Sequence, residues 1–189
     1  TFVFMNPQIT MDSLKAVFSS SSYWKGTTNY ADYSLLRRMN LMTARKRAQY
    51  LSGFLPDRAH ILEVGCATGQ FLQVCQQLDF KITGIDISSY QSRIHQLPTA
   101  NSPKIRNISL DDFASEYRDD PFDAVCLWGI EGNLPDLVGA FEKIHKLLKT
   151  RGILAFNWLN FDHWLRPMLF GSFRQGVTSL SNLTPQSYT

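Results

Sequence analysis

An alternating α/β domain, with a doubly wound and mostly parallel sheet covered by helices on both faces, is the fold this chain predicts. Three observations carry that expectation. From residue 59 onward, short apolar runs alternate with stretches of helical periodicity. The first run, His60-Ile61-Leu62-Glu63-Val64, is nearly continuous, as a strand buried on both faces should be. It runs straight into a turn bounded by Gly65 and Gly69 and then into a helical stretch, so strand, turn and helix follow one another as in a parallel-sheet unit.

The elements are expected in this order. Residues 1–33 are rich in Ser, Asn, Thr and aromatics and read as an irregular N-terminal arm or lid. Tyr23-Trp24-Lys25-Gly26 and Tyr30-Ala31-Asp32-Tyr33 suit either a flap over a site or an arm that packs its aromatics on the core. Residues 34–54 carry Leu35, Met39, Met42 and Leu51 at helical spacing, with Ala48 and Phe54 on or near the same face. Ser34 is the candidate N-cap, and Pro56-Asp57 ends the helix. Its cations, Arg37, Arg38, Arg45, Lys46 and Arg47, read as a solvated face, with a phosphate-binding patch as the alternative. Strands are expected near 60–64, 81–86, 104–108, 122–128 and 152–158, and helices near 69–78, 88–96, 111–117 and 136–149. Gly152 marks a helix stop before the last strand. The domain proper is read as 34–160, and 161–189 as an aromatic, then polar, substrate-side segment that is expected to be truncated.

Composition narrows the class. At 189 residues, 44% hydrophobic and 19% charged, the chain has the size and composition of one domain with a sizeable core. A net charge of +3 does not demand a nucleic-acid partner. Cys66, Cys75 and Cys126 form no C-x-x-C pair, which points to reduced thiols and a cytoplasmic location. His60, His95, His145 and His163 show no metal-ligand spacing. No apolar run reaches the ~18–20 residues of a membrane helix. The chain opens on Thr and is expected to be an internal piece of a longer protein.

The chemistry concentrates around the glycine turn. Gly65 lets the chain turn sharply off the first strand, and free N–H groups of the turn are expected to face a polar ligand group. Asp86 closes the second apolar run, Ile82-Thr83-Gly84-Ile85-Asp86, about twenty residues beyond Gly65. That is where a carboxylate accepts hydrogen bonds from a ribose diol. The spacing Gly65-Cys66-Ala67-Thr68-Gly69 lacks the third glycine of a dinucleotide fingerprint. Glu63, two residues before Gly65, would repel a pyrophosphate and suit a cationic ligand.

Glu63-x-Gly65-x-x-x-Gly69, then Gly84-Ile85-Asp86-Ile87-Ser88, Pro121-Phe122-Asp123-Ala124-Val125, Leu134-Pro135-Asp136 and Lys146-Leu147-Leu148-Lys149-x-x-Gly152, resembles the class I S-adenosylmethionine-dependent methyltransferases, with their Rossmann-like fold. The likeness runs in order over roughly residues 23–160. It implies that S-adenosyl-L-methionine is the cofactor and S-adenosyl-L-homocysteine the product. In that reading Glu63, Gly65, Cys66, Ala67 and Gly69 line the methionine and sugar portions, Asp86 holds the ribose, and Ile87 packs on adenine. Asp111, with Leu110 and Asp112, would meet the adenine edge, and Trp128 and Gly129 would sit beside the sulfonium. Without the likeness, Cys66 reads as a small buried residue and Asp111-Asp112 as helix caps.

The substrate side departs from the family. An acid–histidine pair before Leu-Pro-Asp is replaced by Gly132-Asn133, and the stretch around Thr184-Pro185-Gln186-Ser187 lacks its histidine, which leaves His163 as a weak candidate base. The family's terminal antiparallel strand hairpin has no counterpart. The function expected is methyl transfer to an oxygen, nitrogen or carbon of a small or carrier-bound metabolite, in biosynthesis. The alternatives are an inactive cofactor-binding relative within a larger biosynthetic protein and, third, an RNA methyltransferase.

Overall fold

The structure, a computed structural model, describes residues 9–20, 33–89 and 105–157. Five strands form one sheet: β1 (His60–Val64), β2 (Lys81–Asp86), β3 (Ile105–Asn107), β4 (Phe122–Leu127) and β5 (Leu148–Phe156). Their spatial order is β3-β2-β1-β4-β5, and every neighbouring pair is parallel. From β1 the chain first builds outward through β2 to β3, then returns to add β4 and β5 on the other side. β1 and β4 therefore flank the topological switch point, where the carboxyl ends of strands open a crevice.

Helices cover both faces, and the period of two along the strands decides what each one meets. Ile61, Ala124 and Cys126 face α2 (Tyr33–Ser52) and α3 (Gln70–Gln77), which supply Ala44, Ala48, Leu51, Leu72 and Cys75. Leu62, Val64, Val125 and Leu127 face α4 (Leu110–Glu116) and α5 (Leu137–Leu147), which supply Phe113, Ala140, Ile144 and Leu147. Burying each large apolar side chain contributes about 1.5–3 kcal/mol. Gly84 of β2 lets α3 approach, since a Cβ there would meet Leu72 Cδ1 at 2.5 Å and Cys66 Sγ at 2.9 Å.

The helices begin where their caps dictate. Ser109 Oγ accepts from Asp112 N–H at 3.1 Å ahead of α4, and Asp136 Oδ1 from Gly139 N–H at 2.9 Å ahead of α5. α3 starts on Gly69, whose φ of 70° is left-handed. Among the described residues no helix is long and apolar enough to cross a membrane.

The structure corrects three expectations. First, the arm of residues 1–33 is not irregular throughout, because α1 spans Met11–Ser19. Thr10 caps it through Ser13 N–H at 3.3 Å, and Met11, Leu14 and Phe18 share one side at helical spacing, a pattern masked by the polar composition around it. Second, α2 buries only part of the side expected, Ala48 and Leu51, and the rest of its inward face is Leu41 and Ala44. Met39, Met42 and Phe54 are exposed, whereas Leu41, Ala44, Ala48 and Leu51 pack inward, because small alanines let the helix lie close to the sheet. Third, α5 ends at Leu147 and β5 begins at once, so Gly152 lies inside the strand. Leu148 pairs with Phe122 and Ile153 with Ala124; the extra residues form an irregularity in which Arg151 has φ 67°. Lys149 anchors that bulge by its ion pair with Asp123 at 2.9 Å. The helix expected near 88–96 lies outside the described residues beyond Ser89.

Candidate functional site

The carboxyl ends of β1, β2 and β4 converge on a cavity of about 220 Å³. Gly65, Ala67, Asp86, Ile87 and Trp128 line it, as does Gly129. Gly65 has φ 71°, and a Cβ there would meet Ile130 Cγ2 at 2.6 Å, so only glycine turns the chain at this point without displacing the wall of the cavity.

The N–H groups of Gly65, Cys66, Ala67 and Gly69 are bonded within the protein, contrary to the expectation that they face a ligand. Gly65 and Cys66 both donate to Ile85 C=O, at 2.8 and 3.1 Å, and Gly69 donates to Cys66 C=O at 2.8 Å. Ala67 N–H donates to Asp86 Oδ2 at 2.8 Å, and Ser88 N–H to Asp86 Oδ1 at 2.7 Å. These bonds fix the Asp86 carboxylate at the end of β2 and leave each oxygen a further lone pair. Burial pushes the Asp86 carboxyl above its ordinary range, and the bonds from Ser88 and Ala67 pull it back.

Other expected site residues stand elsewhere. Cys66 and Gly69 are buried beneath the turn; burial pushes the Cys66 thiol well up, so it is no nucleophile. Asp111 is turned away. It pairs with Lys143 at 3.0 Å and lines a separate concavity of about 400 Å³ between α4 and α5, while Ile108 lines the cavity with Asp86. Leu110 is core, and Asp112 closes the cap with Ser109. His163, Trp158–Phe173 and the flap before Tyr33 lie outside the described residues.

Behind the turn lies a group of side chains that the sequence did not bring together. Glu63 alternates with Leu62 and so faces α2, where it is buried with Oε2 unpartnered. Arg47 of α2 is half-buried there, not solvated. Its guanidinium lies 4.5 Å over the Trp128 ring and its Nη2 is 3.5 Å from Asn157 Oδ1. Glu131, on a 3₁₀ turn (Glu131–Asn133) after β4, is buried with Oε1 unpartnered, and Trp128 Nε1 is likewise buried and unpartnered. Phe71 holds the indole edge-on at 5.4 Å. Burial lowers the Arg47 pKa while Glu63 and Glu131 counter it; burial drives the Glu63 carboxyl well up, with Arg47 opposing. The signal for Arg47 was available: with Ala44, Ala48 and Leu51 it completes one inward 3–4 repeat.

Together these groups fit a nucleoside with a zwitterionic tail. Asp86 offers acceptors for a ribose diol, and Ile87, Ile108, Met11 and Phe18 offer an apolar wall for a base. Arg47 and Glu63, behind the turn and outside the cavity lining, add a guanidinium and a buried carboxyl oxygen without a partner. Among the described residues no group of three or more His, Cys, Asp or Glu is arranged to hold a metal ion.

Comparison with known proteins agrees. Residues 36–183 match the family model of a methyltransferase domain. The chain is 28% identical over 144 residues to the ubiquinone biosynthesis O-methyltransferase of Xanthomonas axonopodis pv. citri, covering 74% of this chain and 58% of that protein. It is 33% identical over 118 residues to the enzyme of the same name from Alkalilimnicola ehrlichii, covering 60% and 46%. The plantazolicin methyltransferase BpumL, solved with a desmethylPZN analog and SAH, shares the fold at a TM-score of 0.62 and 20% identity, over 87% of this chain and 60% of that one. The chain spans about half the length of the curated relatives it matches. The strand order, the glycine turn with its terminal aspartate and the matched family place this chain among the class I S-adenosylmethionine-dependent methyltransferases.

Proposed function

We propose that this protein binds S-adenosyl-L-methionine across the carboxyl ends of β1, β2 and β4 and methylates a small or carrier-bound metabolite in the cytoplasm. The observation that carries the reading is Asp86, held by two backbone N–H groups at the rim of an apolar cavity with acceptor capacity to spare. Asp86 would hold the ribose hydroxyls, Arg47 the terminal carboxylate and Glu63 the ammonium. The bound cofactor supplies an electrophilic methyl group on a sulfonium centre. The chain contributes position and dryness: Trp128, pinned between Arg47 and Phe71, walls the reacting end against water.

The names of the O-methyltransferase relatives favour a hydroxyl acceptor, which must lose a proton. Glu131 is the group we assign to take it. It is buried, has an unpartnered oxygen, and follows the cavity residues Trp128 and Gly129 in the chain. Gly132-Asn133 supplies no imidazole for the task. Calorimetry with S-adenosylhomocysteine tests the cofactor reading: saturable binding to the wild-type chain, lost in Asp86→Ala, supports it, and heat-silent mixing with a folded wild-type chain removes it. An inactive cofactor-binding relative would bind S-adenosylhomocysteine but release no labelled methyl product with any hydroxyl acceptor.

A further inference from the structure

α1 is nine residues long, too short to persist alone in water, and only Leu14 of it is fully buried. Its last turn is nevertheless tied to the segment after β2. Ser88 Oγ donates to Phe18 C=O at 2.6 Å, and Ser89 N–H donates to Ser19 Oγ at 3.2 Å. Phe18 C=O is one of the terminal carbonyls that a helix cannot satisfy internally, so Ser88 acts as its cap from 70 residues away. Ser88 is 0% exposed, and it is the same residue whose N–H grips Asp86 Oδ1. One residue thus sets both the ribose-facing carboxylate and the helix. Met11 and Phe18, two turns apart on one side of α1, line the cavity together with Asp86 and Ile87. Val17, on the other side, is exposed.

We infer that α1 forms the outer wall of the nucleoside site and that Ser88 is the positioning residue that couples its docking to occupancy of the cavity. The inference rests on the cofactor reading above. A nucleoside held by Asp86 packs against Met11 and Phe18 and adds the apolar contact that a nine-residue helix lacks. By linkage, the factor by which a docked α1 tightens the ligand is the factor by which the ligand tightens the docking of α1.

Hydrogen exchange on the full chain, with and without S-adenosylhomocysteine, reads the coupling directly. In the wild type the ligand should slow α1 amides at least about tenfold. Ser88→Ala should bind it about tenfold more weakly and lose the ligand-dependent slowing of α1 while keeping it in β1 and β2. The pair Met11→Ala with Phe18→Ala, which leaves Ser88 and Asp86 in place, should weaken binding to a similar degree and guards against a misfolded Ser88 variant, as does the unliganded melting temperature. Binding at wild-type strength by both variants overturns the inference, and so do wild-type α1 amides that exchange equally with and without ligand. A wild-type chain that binds no S-adenosylhomocysteine overturns the cofactor reading and this inference together; binding that ignores α1 overturns this inference alone.

Discussion

The two edges of one sheet treat their polar groups in opposite ways: those of the amino edge are part-buried or exposed and paired, those of the carboxyl edge include buried atoms without a partner. At the amino edge, His60 N–H donates to Asp123 Oδ2 at 2.8 Å, His60 Nε2 lies 2.9 Å from Thr83 Oγ1, and Lys149 contacts both Asp123 oxygens at 2.9 Å. Phe122 packs on the imidazole at 4.4 Å. At the carboxyl edge, Glu63 Oε2, Trp128 Nε1 and Glu131 Oε1 are buried with no partner, and all three residues surround Arg47. A buried polar group left unsatisfied costs about 1–3 kcal/mol. The amino edge therefore serves the fold. The carboxyl edge holds an unmet demand that a ligand can answer, as functional sites do at the expense of stability.

The comparison breaks most visibly at Glu131. Glu131→Gln should slow methyl transfer to a hydroxyl acceptor about 100-fold, the lower range for a lost general base, while S-adenosylhomocysteine binds as before. A variant that turns over normally removes Glu131 as proton acceptor, and one whose ligand affinity falls instead assigns it to the cofactor. Next comes Asp86→Ala. Two charge-assisted bonds to the ribose, at about 1.5 kcal/mol each, predict about 100-fold weaker S-adenosylhomocysteine binding by calorimetry. Unchanged affinity would detach Asp86 from the cofactor. Arg47→Met then leaves two buried carboxylates uncompensated. Removing one member of a fully buried pair costs 3–5 kcal/mol, and Arg47 is only half-buried, so about 2 kcal/mol of lost stability in urea unfolding is expected. A stable Arg47→Met chain would show that Arg47 is not what offsets the burial of Glu63.

Much of the carboxyl edge was legible because backbone geometry writes itself into residue type. Gly65 is where it is because a left-handed turn favours glycine, and Asp86 because a carboxylate at the strand end accepts from the N–H groups of Ala67 and Ser88; their spacing survives in one dimension. Long-range side-chain meetings do not. Arg47 looked like one more cation on a basic helix until α2 docked with Ala44 and Ala48 inward. Asp111 carried the right charge near β3 but pairs with Lys143 of α5, a meeting of two helices far apart in sequence. α1 was hidden by its polar surroundings, since its partner, Ser88, lies across the fold.

The smallest expected effects carry the sharpest test, because the two edges should respond to pH with opposite sign. Burial lowers His60 below its ordinary 6.5, with Lys81 and Lys149 adding to the shift and Asp123 and Asp119 opposing it. The folded state then binds fewer protons than the unfolded one in the window between the lowered value and 6.5, so stability falls as pH drops through that window. Burial raises Glu63 well above 4.5, with Asp86 adding to the shift and Arg47 opposing it. The folded state there holds a proton that the unfolded state has released, so the cost of the buried charge is full above the raised value and is relieved as pH falls through it toward 4.5. His60→Gln should therefore flatten the acid-side loss of melting temperature. Glu63→Gln should raise the melting temperature of the unliganded chain at alkaline pH, with a gain that shrinks on acidification. Both effects are read from paired melting curves against pH. A Glu63→Gln gain that stays constant across the range would mean that Arg47 already holds Glu63 ionised in the folded chain, making the carboxyl edge as fully answered as the amino edge and removing the electrostatic demand assigned to the ligand.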